Sequence, residues 1–188
     1  MSGAARGRPT VLFLAGEGRS GSTLLERVLG RLPGVAAAGE IVHLWERGLR
    51  DDERCGCGLP FSACPRWQAV GRHAFGGWQE LDPQEAVALR WSVDRQRHLP
   101  RMLAPRGDYA AALSRYVERL SRVYQGVALA SGAHTVVDSS KHLSTAYLLR
   151  HVPDIDLRVL HLVRDSRGVA YSWTRTVQRP ERDGSFMP

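Results

Sequence analysis

Between Gly16 and Thr23 the chain reads GEGRSGST, three glycines interleaved with hydroxyls and one arginine. Gly16, Gly18 and Gly21 allow a tight turn with inward N–H groups, and a helix starting near Ser22 aims its free N–H groups and positive dipole end at the same point. Ser20, Ser22 and Thr23 add hydroxyl donors, and Arg19 adds a fixed charge. This combination binds a phosphate-like anion. Gly16, Gly21 and Thr23 keep the spacing of the phosphate loop G-x-x-x-x-G-K-[ST], but Ser22 stands at the lysine position and the charge sits three residues earlier, at Arg19. The clamp that a kinase or NTPase places on β- and γ-phosphates is therefore missing. Of the 26 Lys and Arg residues only Lys141 is a lysine, in the run DSSKH, which marks it for a specific role.

The elements that must position these groups are legible from apolar spacing. Thr10 to Ala15 is a short buried strand feeding the glycine loop, and Ser22 to Leu32 carries apolar residues at helical spacing up to Pro33-Gly34. Val35 to Ala38 reads as a second strand ending at Gly39-Glu40. The stretch from Arg47 to Gly77 reads as irregular. Two helices are expected after it, Asp82 to Leu99 and Asp108 to Ala130. The second carries a stripe of Tyr109, Leu113, Tyr116, Val117, Leu120, Val123, Tyr124 and Val127 that suits a core rather than a cofactor. Thr135 to Val137 then forms a strand running into a polar turn Asp138 to Lys141, followed by a helix to about His151. Leu157 to Val163 is the last strand. It delivers Arg164 to its carboxyl end, before Asp165 and Ser166 start a helix to about Thr176. Ser172 lies eight residues after Arg164, about two turns into that helix. Strands that each feed a helix through a polar turn imply an α/β fold with a central parallel sheet, whose ligands bind at the carboxyl ends of the strands.

The displaced charge and the motif RSGSTLL (Arg19 to Leu25) resemble the 5′-phosphosulfate loop of sulfotransferases that use 3′-phosphoadenosine 5′-phosphosulfate (PAPS), and VRDSRGVAYSW (Val163 to Trp173) is similar to their 3′-phosphate segment. The chain most resembles bacterial, carbohydrate-type and tyrosylprotein-type members. The resemblance covers about residues 10–45 and 133–176. It implies a P-loop-like three-layer fold, with Gly18, Arg19, Ser20, Gly21, Ser22 and Thr23 on the 5′ side of the donor and Arg164 and Ser172 on the 3′-phosphate. Ser166 stands where members often carry proline. Within the resemblance Lys141 assists departure of the bridging oxygen, with Ser139 and Ser140 near cofactor oxygens and Asp138 orienting the turn. Two residues compete as the base: Glu40, which follows a glycine as in tyrosylprotein and some carbohydrate enzymes, and His142, adjacent to the lysine where cytosolic enzymes leave one residue between. Glu40 is preferred.

The implied reaction is sulfuryl transfer from PAPS to a hydroxyl or amine of a small-molecule or carbohydrate acceptor, with no metal required. Two alternatives stand beside it. One is a nucleotide kinase or NTPase, with Asp138 or Asp165 as a strand-end magnesium ligand; the other is an inactive nucleotide-binding remnant. Family members continue past the 3′-phosphate helix, so a chain ending at Pro188 is expected to lack the C-terminal part of the fold.

Composition sets the remaining bounds. The chain has 188 residues, 43% of them hydrophobic and 24% charged, which suits one soluble domain. A 47–130 insertion is expected to cap the acceptor side. The net charge of +7 favours anionic ligands, but the arginines are scattered and no basic run points to nucleic acid. No apolar run approaches the ~20 residues of a membrane span and no signal peptide is apparent, so a cytoplasmic location is expected. Cys55, Cys57 and Cys64 cluster in CGCGLPFSAC. With His73 they offer a zinc set, but the C-x-C start departs from C-x2-4-C spacing, and the resemblance implies a family feature of unassigned role, since some bacterial members carry a cysteine-rich insertion before a tryptophan, here Trp67. No oligomeric state is assigned.

Overall fold

The computed structural model describes residues 8–178 and 186–187. Most of the expected basic lead-in and of the polar tail after Gln178 lies outside them. A four-stranded parallel sheet has the order β2-β3-β1-β4, formed by β1 (Thr10–Gly16), β2 (Val35–Ala37), β3 (Thr135–Lys141) and β4 (Asp156–Leu162). The continuous apolar run of β1 occupies the centre, where Val11, Phe13 and Leu14 are fully buried. Helix α1 (Ser22–Leu29) follows the glycine loop and packs on β2 and β3. It is shorter than expected because Gly30 ends it, where a Cβ would stand 2.9 Å from the Ala37 methyl.

The insertion is helical. A short turn at Ile41–His43 and a π-helical segment at Leu44–Arg50 lead through a tight hairpin to α2 (Pro65–Phe75), α3 (Pro83–Val93), α4 (Leu99–Leu103) and α5 (Gly107–Ser131). Every residue of the expected stripe on α5 is buried. Each such side chain contributes about 1.5–3 kcal/mol of hydrophobic stabilisation, which makes α5 the spine of the insertion. Asp82 caps α3 by accepting from the Gln84 and Glu85 N–H groups.

Two expectations about the insertion fail. The stretch before Gly77 contains α2, whose pattern is hard to read because its contacts run through small residues. A Cβ at Gly71 would meet the Trp78 indole at 2.5 Å, and one at Gly126 would meet the Val70 carbonyl at 2.9 Å, so glycines let α2 lie close against its neighbours. The expected single helix from Asp82 to Leu99 breaks at Asp94–Arg95, where the buried Asp94 carboxylate turns to the Thr145 hydroxyl, 2.8 Å away.

On the C-terminal side, α6 (Leu143–Leu149) and α7 (Ser166–Trp173) follow β3 and β4. Both are shorter than expected. The Asp138 to Lys141 segment is no turn: β3 runs through it to Lys141. Beyond α7, Val177–Gln178 pairs antiparallel with Phe186–Met187.

Candidate active site

The glycine loop leaves β1 at the sheet's carboxyl edge. Gly16 has φ +151° and a Cβ there would stand 2.7 Å from the Leu162 carbonyl of β4, so only glycine lets the loop turn this close to its neighbour strand. Arg19 itself takes a left-handed φ of 68°, and Gly21, at φ +97°, opens α1. A residue with a Cβ held at positive φ is locally strained, and such strain concentrates at binding loops. The Ser20 hydroxyl is buried in the loop without a hydrogen-bond partner among the described residues, which fits a loop shaped to receive acceptor oxygens from an anion. Ser22 is buried at the first position of α1, and Thr23 is exposed.

The second segment docks on the first. Arg164 Nη1 donates to the Arg19 carbonyl at 2.8 Å. Trp173, at the end of α7, lies over the loop: the Arg19 guanidinium is 5.5 Å from its ring centre, and a Cβ on Gly18 would be 2.9 Å from the ring. Asp165 caps α7 by accepting from the Arg167 N–H at 2.8 Å, and it also pairs with the Arg167 side chain, 2.9 Å away. Ser172, one residue before Trp173, is half-buried. The two segments that the sequence separates by some 140 residues are thus in contact through Arg19 and Arg164.

Lys141 lies at the end of β3, opposite Ala15 of β1. Phe13 pairs with Asp138 but Ala15 with Lys141, so β3 carries one extra residue here. Such a bulge re-aims a side chain, and Lys141 takes φ 67°. Its ammonium donates to the Ser139 carbonyl at 2.9 Å and to the Glu40 carboxylate. Glu40 holds a second partner, His43 Nε2 at 3.2 Å. Burial works to raise the Glu40 pKa, but the His43 hydrogen bond and the Lys141 charge and hydrogen bond outweigh it and hold the carboxyl at about 2. His142 follows, with its ring edge-on to His43 at 6.3 Å between centres. Although part of His142 is open to solvent, desolvation of the ring, with the charges of His43 and Arg90, lowers its pKa below the usual 6.5 against the opposing pull of Asp94 and Glu40. Near this end of the site Arg90 Nε and Asp94 Oδ1 are buried without partners among the described residues.

The expected cofactor contacts of Ser139 and Ser140 are not supported. Both hydroxyls are buried and turned inward: Ser139 donates to Glu26 at 2.6 Å, and Ser140 donates to Asp138 at 2.5 Å while accepting from the Val42 N–H at 3.0 Å. Asp138 does orient this segment, because its other oxygen takes the Tyr124 hydroxyl at 2.6 Å. Complete burial raises its pKa to about 6 despite those hydrogen bonds. Asp138 is thus enclosed, and Asp165 is occupied as a cap and paired with Arg167. Glu26, which also accepts the Gly39 N–H, and His43 escaped the sequence reading. His43 had a local signal, its position three residues after Glu40; Glu26 had none, since its partners Gly39 and Ser139 are distant in the chain. A cavity of about 360 Å³ lined by Leu49, Asp52, Phe61, Ser62, Gln68 and Trp78 belongs to the insertion and shares no residue with this site.

A four-stranded parallel sheet with flanking helices, and with the glycine loop, Arg164 and Lys141 at one edge, makes an α/β fold of the P-loop-like kind. The sequence matches the model described as sulfotransferase family over residues 9–185. The chain belongs to the sulfotransferase family, whose members are transferases of sulfuryl groups. Among curated proteins and among solved structures there is no match. No helix among the described residues is long and apolar enough to cross a membrane.

Proposed function

We propose that this protein transfers a sulfuryl group from PAPS to a hydroxyl or amine of a small-molecule or carbohydrate acceptor. The observation that carries the reading is convergence: the 5′ loop, the Arg164 strand end and Lys141 emerge from the carboxyl ends of three adjacent strands, β1, β4 and β3. Gly18 to Thr23 and the N-terminus of α1 bind the 5′-phosphosulfate, and the orphan Ser20 hydroxyl supplies one donor. Arg164 and Ser172 bind the 3′-phosphate. The remainder of the chain divides accordingly: residues 10–45 and 133–176 form the donor side, and 47–130 form the acceptor cap.

In the transfer step the acceptor oxygen or nitrogen forms a bond to sulfur as the bond from sulfur to the bridging phosphate oxygen breaks. The acceptor proton passes to the base, and the leaving oxygen carries its electron pair away on adenosine 3′,5′-bisphosphate. Charge grows on that oxygen, and a fixed cation there stabilises the transition state selectively. Lys141 fills this role, and to do so it exchanges the Glu40 carboxylate for the donor's bridging oxygen. Glu40 at about 2 is a poor base while the lysine holds it. Withdrawal of Lys141 raises its basicity, so donor binding readies the base. His142 is the rival base and, with a lowered pKa, is neutral at pH 7.

Calorimetric titration with adenosine 3′,5′-bisphosphate, against ATP with magnesium, tests the donor site. Binding of the bisphosphate alone is expected. A preference for ATP with magnesium overturns the reading, and binding of neither ligand favours an inactive remnant. Once an acceptor is found, the base is assigned from Glu40→Gln and His142→Gln: loss of turnover with retained bisphosphate binding in only the first establishes Glu40.

A further inference from the structure

The three cysteines of the insertion have no part in the donor site, and their geometry is that of a metal knuckle. Residues 54–60 form a small hairpin, with Arg54 bridged to Pro60 and the Cys55 N–H bonded to the Leu59 carbonyl at 2.8 Å. Its turn closes through the Gly58 N–H on the Cys55 carbonyl at 2.8 Å, and Gly58 takes φ +88°, a conformation suited to glycine. Asp52 pins the far side by accepting from the Ser62 N–H at 2.7 Å and the Ser62 hydroxyl at 2.9 Å. The chain then enters α2 directly at Cys64, the residue before its first turn. The turn and the helix start together bring the three sulfurs within 4.8 Å of one another, with Cys57 and Cys64 3.6 Å apart.

A tetrahedral ion with metal–sulfur bonds of ~2.3 Å sets its sulfurs ~3.8 Å apart, close to this spacing. It is well beyond the ~2.05 Å of a disulfide, and all three thiols are free. Cys64 lies at the positive end of α2, which favours a negative sulfur there. Without a cation three converging thiols gain little, because S–H is a weak donor and sulfur a weak acceptor.

We propose that Cys55, Cys57 and Cys64 bind one thiophilic divalent cation, zinc, as a structural staple of the insertion. Soft thiolates select such ions over magnesium or calcium. Binding forms three metal–sulfur bonds and releases the three thiol protons to solvent. Water completes the fourth position, on the side where Cys57 is exposed. His73 is not part of the group that converges among the described residues, so the four-ligand set suggested by the sequence reduces to three. The staple fastens the hairpin to α2, and Arg66 on the first turn of α2 donates to the Ala37 carbonyl on β2, the strand that leads to Glu40. The site therefore secures the root of the insertion against the sheet edge that carries the candidate base. The metal assignment stands independently of the donor and acceptor.

The test uses the full chain, purified under reducing conditions, stripped with a chelator and titrated with cobalt(II). One equivalent is expected to bind with a thiolate-to-cobalt charge-transfer band in the near ultraviolet and the visible bands of a tetrahedral site, and zinc displaces it. Cys57→Ser, at an exposed position, loses the band and weakens zinc binding by more than the ~10–100-fold that loss of an outer-shell partner costs. Far-ultraviolet circular dichroism verifies that this variant is folded, and His73→Ala leaves the spectrum unchanged. Three results overturn the proposal: cobalt binding without a thiolate band, a spectrum unaltered in folded Cys57→Ser, or a Cys57–Cys64 disulfide in protein whose thiols were blocked at lysis.

Discussion

Strands β3 and β4 both lie parallel to β1, one on each side, yet they are built in opposite ways. In β3 every residue from Val136 to Ser140 is buried, and its polar side chains are satisfied by Glu26, Tyr124, Val42 and one another. β4 is mostly exposed, α7 behind it buries no residue, and Val159, Val163, Tyr171 and Trp173 stand open to solvent. Beyond the ladder to β1, the second segment is attached by the Arg164 hydrogen bond and the Trp173 contact over the glycine loop. Lys141 therefore ends an enclosed strand, whereas Arg164 follows an exposed one and Ser172 lies on a helix that buries no residue. Changes in β3 should register in stability as well as chemistry; changes in β4 should register in ligand affinity.

The largest expected effect breaks the chemistry at the rigid side. Lys141→Ala is expected to slow sulfuryl transfer by on the order of 10²–10³-fold, the cost of removing one preorganised transition-state donor. Affinity for adenosine 3′,5′-bisphosphate, which keeps the former bridging oxygen, should fall too, but by a smaller factor than the rate. Single-turnover rates beside calorimetry separate the two, and a variant that loses both in equal measure contradicts the assignment.

The buried carboxylate of β3 gives the next effect. The Asp138 pKa rises from 3.8 to about 6 on folding, so the folded state holds the proton more tightly and the stability this contributes is complete below 3.8 and lost as pH rises through about 6. Urea unfolding should show the wild type losing up to ~3 kcal/mol over that interval relative to Asp138→Asn, whose amide does not titrate. Parallel stability curves for the two proteins would contradict this. Glu40, held at about 2, acts with the opposite sign: its contribution is present above 4.5 and is lost as pH falls through about 2.

The smallest effect sharpens the contrast from the open side. Arg164→Ala removes a charged hydrogen-bonding group, worth about 1.5–3 kcal/mol, so bisphosphate affinity should fall by roughly 10–150-fold. The side chain is exposed, and the melting temperature of the unliganded protein should move little. A large loss of unliganded stability with unchanged affinity would reverse the comparison.

Much of this architecture was readable because it is local. The run TVLFLA, the glycine loop and the apolar stripe of α5 each declare themselves within a few turns, and β1, α1 and α5 appear where those patterns place them. The elements misread are those whose pattern depends on a distant neighbour. Gly71 lets helix α2 approach Trp78, and Gly126 lets α5 approach the Val70 carbonyl of α2, which a sequence registers only as weak helical propensity. The DSSK run looked like a ligand-binding turn because serine and aspartate favour turns in general, but Tyr124 and Glu26 make its side chains interior partners and let β3 continue.

Residue types and short spacings by themselves determined the parallel α/β class, the glycine loop, the strand-end Arg164 and the singular Lys141, since backbone preference and apolar period act between near neighbours. Only the tertiary structure decided that Lys141 is held by Glu40 and Ser139, that Arg164 closes on Arg19, and that three cysteines converge without His73. Glu40 and Lys141 are 101 positions apart and Arg19 and Arg164 are 145 apart. Contacts across such separations follow from how the sheet orders its strands and how the insertion packs, and no local pattern encodes either.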